Sequence, residues 1–137
     1  MTVKTIIAST RDFNEYDLLC ETVSSLPWKI TTLLSGSNNK ADTLNARWAK
    51  ENNIPITYYK ADWYNMDNPE AIIKINLQGK EYDANAGPRR NKRMVDNADA
   101  LIAFWDEKSI GVRDIIIKAR KKGLTYAICY YKEEVKD

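Results

Sequence analysis

A run of cations at a predicted helix start is the part of this sequence best suited to hold an anion. In the stretch "NAGPRRNKRM", residues 85–94, the six residues after Pro88 include four cations, namely Arg89, Arg90, Lys92 and Arg93. Pro88 suits the first position of a helix, where its missing N–H costs nothing. Cations this early in a helix oppose its dipole, each by about 0.3–1 kcal/mol when exposed. A bound phosphate would resolve this conflict by pairing with guanidinium and amide groups. A solvated basic face, partly neutralised by Asp96, is the alternative.

A turn rich in serine and asparagine, "SGSNNKAD" at residues 35–42, is a second candidate for anion binding. Gly36 permits a tight turn between a strand and a helix. Short side chains such as Ser35 and Asn39 can donate hydrogen bonds, and Lys40 adds a positive charge. Exposed amides at the start of the following helix would attract an anion. An ordinary strand–turn–helix with serine or asparagine capping is the alternative.

A third candidate is "WDEKSIGVRD", residues 105–114. Ser109 or Asp106 could cap a helix whose first turn contains Gly111. Glycine inside a helix costs roughly 1 kcal/mol relative to alanine. Close approach of a phosphate to the backbone would justify this cost, and close packing against a neighbouring element is the alternative.

Composition excludes several classes of protein. A chain of 137 residues suits one domain, 1–137, and its 44% of hydrophobic residues is enough for a normal core. A formal charge of only +2 argues against general nucleic-acid binding. The sequence has no histidine, which removes the commonest general base and the usual zinc ligand. Cys20 and Cys129 match no metal spacing, so we predict no metal site. We also predict no cofactor.

Cysteine usage and the N-terminal sequence indicate the compartment. Two distant cysteines are too few for a disulfide framework, and a reducing compartment is the simpler reading. The start "MTVKTIIASTRDF" is too polar for a signal peptide or a membrane span. We therefore predict a cytoplasmic protein without a membrane partner.

Short apolar runs alternate with amphipathic stretches along the chain. The predicted strands cover residues 4–9, 29–35, 54–61, 99–106 and 125–131. The predicted helices cover residues 14–26, 40–53, 88–97 and 109–123. Asn14 can cap the first helix, Gly123 ends the last, and Pro55 indicates an edge strand. This alternation predicts an α/β domain whose parallel sheet is covered on two sides. Such sheets bind ligands beyond the carboxyl ends of their strands, where the strand order switches.

The section at residues 62–86 has an irregular pattern. Within it, residues 69–77 could form a short helix, and residues 65–83 are either a closing lid or a plain surface loop. Trp63 and Trp105 lie near the predicted crevice and could stack on a base, although most aromatic side chains belong to the core. Residues 132–137 are predicted to be a frayed tail.

Seven motifs, taken in order, resemble the YspA-like (cpYpsA-related) branch of the SLOG superfamily. They are "TIIASTRDF", "LLSGSNNKAD", "AKENNIP", "ADW", "AGPRRNKRM", "ADALIAFWD" and "SIG" before a helix. The similarity covers residues 3–131, nearly the entire chain. With the strand and helix pattern, this resemblance implies a Rossmann-like, three-layer α/β/α fold around a five-stranded, mainly parallel sheet. It also implies binding of nucleotides or nucleotide-derived ligands. Some relatives, the cytokinin-activating "lonely guy" enzymes, hydrolyse nucleoside monophosphates, and others are sensors in prokaryotic conflict systems and phages.

The family motifs are partly kept in this sequence. The usual Gly-Ser-Arg of the first strand reads Ser9-Thr10-Arg11, which would place Thr10 and Arg11 by the ligand. The Gly-Pro-x-Arg-Asn motif is intact, with its fixed positions at Gly87, Pro88, Arg90 and Asn91.

Two other motifs depart from the family pattern. The usual Ser-Gly-Gly-Ala-Arg-Gly-Ala-Asp is kept at Ser35, Gly36, Ala41 and Asp42, whereas residues 37–40 differ. Val112 replaces the threonine of the usual Ser-x-Gly-Thr. The loss of two glycines narrows the room for a phosphate, and the loss of the threonine removes a hydroxyl. The chain is thus a divergent member whose anion site is either reshaped for another ligand or abandoned.

Three functions are compatible with the sequence. The first is a sensor or sequestering module for a nucleotide-like small molecule, such as a phage-encoded sponge, with self-association as a further possibility. Its ligand-binding candidates are Thr10, Arg11, Ser35, Gly36, Asn39, Lys40, Gly87, Arg90, Asn91, Ser109 and Gly111, with Trp63 or Trp105 stacking on the base. The second is a nucleotide N-glycosidase, which needs a carboxylate near the ribose, with Asp42, Asp106 or Asp114 as candidates. The third is a ligand-free interaction protein that kept the fold.

Overall fold

The structure, a computed structural model, describes residues 2–36 and 40–131. Of residues 40–42 only the backbone is described. The tail at 132–137, for which we predict fraying, lies outside the described residues.

Two sheets and four helices make up the described part of the chain. The strands are β1 (Lys4–Ser9), β2 (Thr32–Gly36), β3 (Ile56–Tyr59), β4 (Ile73–Ile75), β5 (Glu81–Asp83), β6 (Ala100–Trp105) and β7 (Thr125–Tyr130). The helices are α1 (Tyr16–Ser24), α2 (Lys40–Glu51), α3 (Ala86–Asp96) and α4 (Ile110–Lys122).

The main sheet is parallel, in the order β3-β2-β1-β6-β7. The chain runs outward from β1 to β3 and then returns to the other side of β1 at β6. The strand order therefore switches between β1 and β6, where ligands of such sheets bind. The predicted Rossmann-like α/β fold with a five-stranded sheet is confirmed, and Pro55 does precede an edge strand.

Helices cover both faces of the main sheet. On one face, Leu19 of α1 and Trp48 of α2 pack against a cluster that includes Phe104, whose ring stacks on that of Phe13 at 4.7 Å. On the other face, α3 and α4 pack on β1 and β6 through side chains such as Met94 and Ile115. The central strands are buried on both sides, which explains why they read as unbroken apolar runs.

Helix ends agree with the sequence at α4 and differ from it at α1 and α3. Ser109 caps α4, since its Oγ accepts a hydrogen bond from the Val112 N–H, and Gly123 ends the helix with φ +83°. Position 15, rather than Asn14, precedes α1, and no side chain caps this helix start. Helix α3 begins two residues before Pro88, so the proline is its third residue and not its first. It still lies within the first turn, where a missing N–H removes no intrahelical bond.

The predicted helix at 69–77 is wrong. Residues Ile73–Ile75 form β4, which pairs antiparallel with β5 in a separate two-stranded sheet. A turn at residues 76–79 reverses the chain, because the Asn76 carboxamide and the positive φ of Gly79 both favour a tight reversal. The alternation of apolar and polar residues over 73–77 has the period of a strand.

None of the helices in the described residues is long and apolar enough to span a membrane.

Candidate functional site

A cavity of about 520 Å³ opens at the carboxyl ends of β1 and β2, on the side of the sheet that α3 and α4 cover. It lies next to the switch in strand order. The hairpin formed by β4 and β5 lines it from the outside. Seven residues predicted as site residues line this cavity together: Arg11, Gly36, Trp63, Arg90, Asn91, Ser109 and Gly111.

Arg90 lies against the end of β2. A Cβ atom at Gly36 would lie 2.7 Å from Nη1 of Arg90 and 3.1 Å from its Cζ, so only glycine leaves room for the guanidinium in this position. The Nε of Arg90 donates a hydrogen bond to Oδ1 of Asn91 at 3.2 Å. Arg90 is thus held beside the cavity by a strand end on one side and a buried amide on the other.

Asn91 joins the two helices that border the cavity. It is only 4% exposed, and its Nδ2 donates to the Gly111 carbonyl at 3.3 Å and to Oδ2 of Asp114 at 3.0 Å. Asn91 therefore fixes Arg90 on α3 relative to the N-terminus of α4. Its carboxamide groups have protein partners, so its role here is positioning.

The start of α4 contributes backbone groups to the cavity. Ser109 caps the helix, and Gly111 lies in its first turn, where amide groups have no intrahelical acceptor. A Cβ at Gly111 would meet none of the described atoms within 4 Å. Close packing therefore does not explain this glycine, and its open position facing the cavity leaves room for a ligand.

Aromatic side chains also line the cavity. The Trp63 ring lies on the start of α3, where a Cβ at Gly87 would be 2.8 Å from its Cη2 atom. Gly87 thus makes room for a tryptophan, which is a different reason for this glycine from the phosphate contact that the family motif implies. Tyr64 also lines the cavity, and Nζ of Lys80 lies 3.9 Å from its ring centroid.

The hairpin supplies two residues that the sequence analysis missed, Asn76 and Tyr82. Their position depends on the reversal of the chain between β4 and β5, and a helix at 69–77 would have placed Asn76 elsewhere. The signal that could have found them is the period-two pattern leading into an Asn–x–x–Gly turn.

Ser9, which replaces the glycine of the family motif, is also among the residues that line the cavity. Its hydroxyl is buried and has no hydrogen-bond partner among the described residues. A buried hydroxyl without a partner is uncommon in folded proteins. No described residue pairs with this hydroxyl, and because the hydroxyl is buried it is not exposed to a ligand in the cavity.

Four predicted site residues lie beside the cavity without lining it. Thr10 is 8% exposed, and its Oγ1 accepts a hydrogen bond from the Asp106 N–H at 3.2 Å. Ser35 is fully buried and accepts a hydrogen bond from Nδ2 of Asn45. Trp105 packs in the core, and its Nε1 donates to the Ser109 carbonyl. The fourth, Gly87, contacts Trp63 as described. These residues shape the cavity from behind.

The four cations of the opening motif have different partners. Arg89 pairs with the buried Asp83, Lys92 pairs with Asp96, and Nη2 of Arg93 donates to the Lys60 carbonyl. The interpretation that one anion resolves the charge conflict at this helix start is thus wrong for three of the four, since protein oxygens accept from them. Arg90 is the one of the four that lines the cavity.

The described candidate acids are engaged in structural bonds. Oδ1 of Asp106 accepts from the N–H groups of Lys108 and Ser109 at 2.8 Å each, and so caps the loop before α4. Burial alone would raise the pKa of Asp106, but these backbone hydrogen bonds outweigh it and hold the pKa below its ordinary value. Asp114 pairs with Lys118 and accepts from Asn91. Neither acid is among the described residues that line the cavity.

Three further candidates cannot be placed. Asn39 lies outside the described residues, and of Lys40 and Asp42 only the backbone is described.

The fold and the cavity define a Rossmann-like α/β protein with an open, cationic crevice at its strand ends. The sequence model of the YspA, cpYpsA-related SLOG family matches residues 3–65. This match confirms the resemblance found in the sequence and supports membership of the chain in that family. At a coarse level, membership indicates binding or modification of a nucleotide-related ligand.

Comparison with solved and curated proteins adds one structure. The protein of "Crystal Structure of Sa239" is similar to this chain with 16% sequence identity and a TM-score of 0.40. The alignment covers 93% of this chain and 54% of that one, so this chain spans about half the length of the solved protein. No curated protein matches the chain.

Proposed function

We propose that this protein binds a nucleotide or a phosphorylated nucleoside-derived ligand in the cavity at the carboxyl ends of β1 and β2, as a sensor or sequestering module. The coarse family assignment supports a nucleotide-related ligand. The cavity of about 520 Å³ is within the usual range of small-molecule sites.

The observation that carries the proposal is the position of Arg90 against Gly36, in a cavity that Trp63 and Tyr64 also line. Arg90 and Arg11 bring two guanidinium groups to the same cavity as the first turn of α4. Guanidinium groups and helix N-termini both favour phosphate. Trp63 lines the same cavity and offers a surface on which a base can stack.

The proposal is for binding rather than hydrolysis. Asp106 caps the loop before α4 and Asp114 pairs with Lys118, and neither carboxylate is among the described residues that line the cavity. Of the third candidate, Asp42, only the backbone is described.

Replacement of Arg90 by alanine tests the proposal. Nucleoside monophosphates are titrated into the wild type and the variant in a calorimeter. Hydrogen bonds to charged groups contribute about 1.5–3 kcal/mol, so Arg90→Ala should weaken binding by about 2 kcal/mol, or about 30-fold. Arg120→Ala is the matched control, because it removes the same charge from an exposed position in the last turn of α4.

Gly36→Ala tests the contact between Gly36 and Arg90 by changing the glycine instead of the arginine. The new Cβ would lie 2.7 Å from Nη1 of Arg90, so the guanidinium must move and binding should weaken. Melting temperatures of all variants show whether the fold is kept. Equal affinities for Arg90→Ala and Arg120→Ala would refute the proposal.

A further inference from the structure

We infer that the hairpin of β4 and β5 forms the nucleobase subsite of the cavity, with Tyr82 packing on the base and the Asn76 amide donating to an acceptor atom on its edge. The inference rests on the proposed function. It concerns residues outside the 3–65 range that the family model matches, so it does not follow from the family assignment.

The groups that line the cavity differ in chemistry according to the element that supplies them. The sheet end and the flanking helices supply the two arginines and the start of α4. The hairpin and the segment before it supply the Tyr64 and Tyr82 rings together with the Asn76 carboxamide. Cationic groups suit a phosphate, whereas aromatic rings with a single amide suit a flat heterocycle. A ligand that uses both therefore places its phosphate toward the sheet and its base toward the hairpin.

Asn76 has one polar group left for a ligand. Its Oδ1 accepts from the Gln78 N–H at 3.0 Å and from the Lys80 N–H at 2.9 Å, which uses both lone pairs of this oxygen. These bonds hold the turn and fix the side chain. The Nδ2 group has no partner among the described residues, and a carboxamide nitrogen can only donate. Asn76 therefore suits a carbonyl oxygen or an unprotonated ring nitrogen of a base.

Tyr82 is directed to the cavity by strand geometry. It is the central residue of β5, so its side chain points to the opposite face from those of Glu81 and Asp83. Asp83 is fully buried, whereas Tyr82 is partly exposed and lines the cavity. The Tyr82 ring is thus available to stack on a base, while the buried Asp83 holds the strand in place.

The hairpin is fixed to the same helix that carries Arg90. Oδ1 of Asp83 accepts from the N–H groups of Ile72 and Asn85 at 2.9 Å each. Oδ2 of Asp83 accepts from Nη2 of Arg89, and the Asp83 N–H donates to the Trp63 carbonyl. Arg89 and Arg90 are adjacent on α3, so the hairpin and the cationic group are both fixed by the first turns of one helix. The subsite thereby has a defined position relative to the phosphate group.

Calorimetric titration with AMP, GMP, CMP, UMP and ribose 5-phosphate tests the inference. The wild type should bind at least one nucleoside monophosphate about tenfold more tightly than ribose 5-phosphate, because only the nucleotide reaches the hairpin. Tyr82→Ala should remove most of this preference and leave the affinity for ribose 5-phosphate within about twofold. Arg90→Ala should weaken both ligands, because it removes a phosphate contact.

Asn76→Asp tests the donor while keeping the turn. Aspartate retains the oxygen that accepts from the two backbone N–H groups, and it lacks the amide donor. The added charge repels the phosphate of every ligand, so the informative quantity is the ratio of the nucleotide affinity to the ribose 5-phosphate affinity. This ratio should fall about threefold. Gln78→Glu adds the same charge at an exposed position that does not line the cavity, and it should leave the ratio unchanged.

The outcomes separate the inference from the proposed function. If Tyr82→Ala weakens the nucleotide and ribose 5-phosphate equally, or neither, the hairpin is not a base subsite. If the wild type binds ribose 5-phosphate as tightly as every nucleotide, the inference fails while phosphate binding stands. If the wild type binds none of these probes, the proposed function fails and the inference fails with it.

Discussion

The main sheet and the hairpin of β4 and β5 are stabilised in different ways. In the sheet, side chains such as Leu101 and Ile102 are fully buried between two layers of helices. In the hairpin, Ile73, Ile75 and Leu77 are 52%, 67% and 101% exposed. The hairpin is instead held by polar contacts that converge on Asp83.

This difference indicates how the cavity is built. One side of the cavity is formed by the main sheet with α3 and α4, which are held by apolar packing that extends through the domain. This side should open only when the whole domain unfolds. The hairpin of β4 and β5 is held by a few polar contacts around Asp83. Segments with few buried apolar contacts open at a lower free energy than that of global unfolding. Substitutions in the two regions should therefore have separable effects.

The largest expected effect is that of Ile102→Ala in the sheet. This residue is fully buried, so its truncation removes packed atoms and leaves a cavity. We expect a loss of about 3 kcal/mol in the free energy of unfolding, and a melting temperature lower by about 10 °C. Thermal unfolding followed by circular dichroism measures both. A change below about 1 °C would contradict the assignment of this strand to the centre of the core.

A local effect is expected for Asp83→Asn. The substitution removes the charge that pairs with Arg89 and weakens the attachment of the hairpin to α3. The protection factors of the Ile72 and Asn85 amides should fall about tenfold, while those of β6 stay unchanged. Hydrogen exchange followed by NMR measures them. An equal loss of protection in β6 would show that the hairpin and the sheet unfold together.

The same carboxylate makes the hairpin sensitive to acid. Burial alone would raise the pKa of Asp83, but the Arg89 ion pair and two backbone hydrogen bonds outweigh it and lower the pKa below its ordinary value. A lowered pKa stabilises the folded form above the unfolded pKa of about 3.9, and this stabilisation is lost as the pH falls through the folded value. The protection of the Ile72 amide should therefore decrease at low pH in the wild type and much less in Asp83→Asn.

The smallest effect is expected for Leu77→Ser at the hairpin tip. Because this side chain is fully exposed, the free energy of unfolding should change by no more than about 0.5 kcal/mol. Chemical denaturation measures it. A larger loss would mean that the hairpin tip is covered in solution, and sedimentation of the wild type and the variant would then show whether a second copy of the chain covers it, as the prediction of self-association allows.

The sheet was easier to predict from the sequence than the hairpin, for a physical reason. Strands buried on both faces, such as β1 and β6, consist of apolar runs that are uncommon in surface segments. Gly123 is a clear signal for a helix end, because its positive φ is a conformation that few other residues adopt. The strand β4 has three residues and is exposed, so packing leaves little mark on its sequence. The alternation over residues 73–77 and the Asn–x–x–Gly turn indicate the hairpin, but five alternating residues are a much weaker signal than the longer apolar runs of the sheet.

The sequence indicated where in the fold the candidate site lies, but not which side chains face the cavity. The cations of the motif at 85–94 drew attention to the start of α3, yet the sequence does not say which of them faces the cavity. That depends on Asp83, which the unforeseen hairpin brings to Arg89, leaving Arg90 at the cavity. Likewise, the reason for Gly87 becomes evident only once Trp63 is seen to lie upon it.

The hydrogen bond between Asn91 and Arg90 has an energetic consequence. A free arginine side chain loses up to about 2 kcal/mol of rotamer entropy when it becomes fixed. Here the buried Asn91 and the bare backbone of Gly36 restrict the guanidinium before any ligand arrives. For the phosphate that we propose as ligand, the guanidinium group is therefore already oriented, and a larger share of the contact energy would be expressed as affinity.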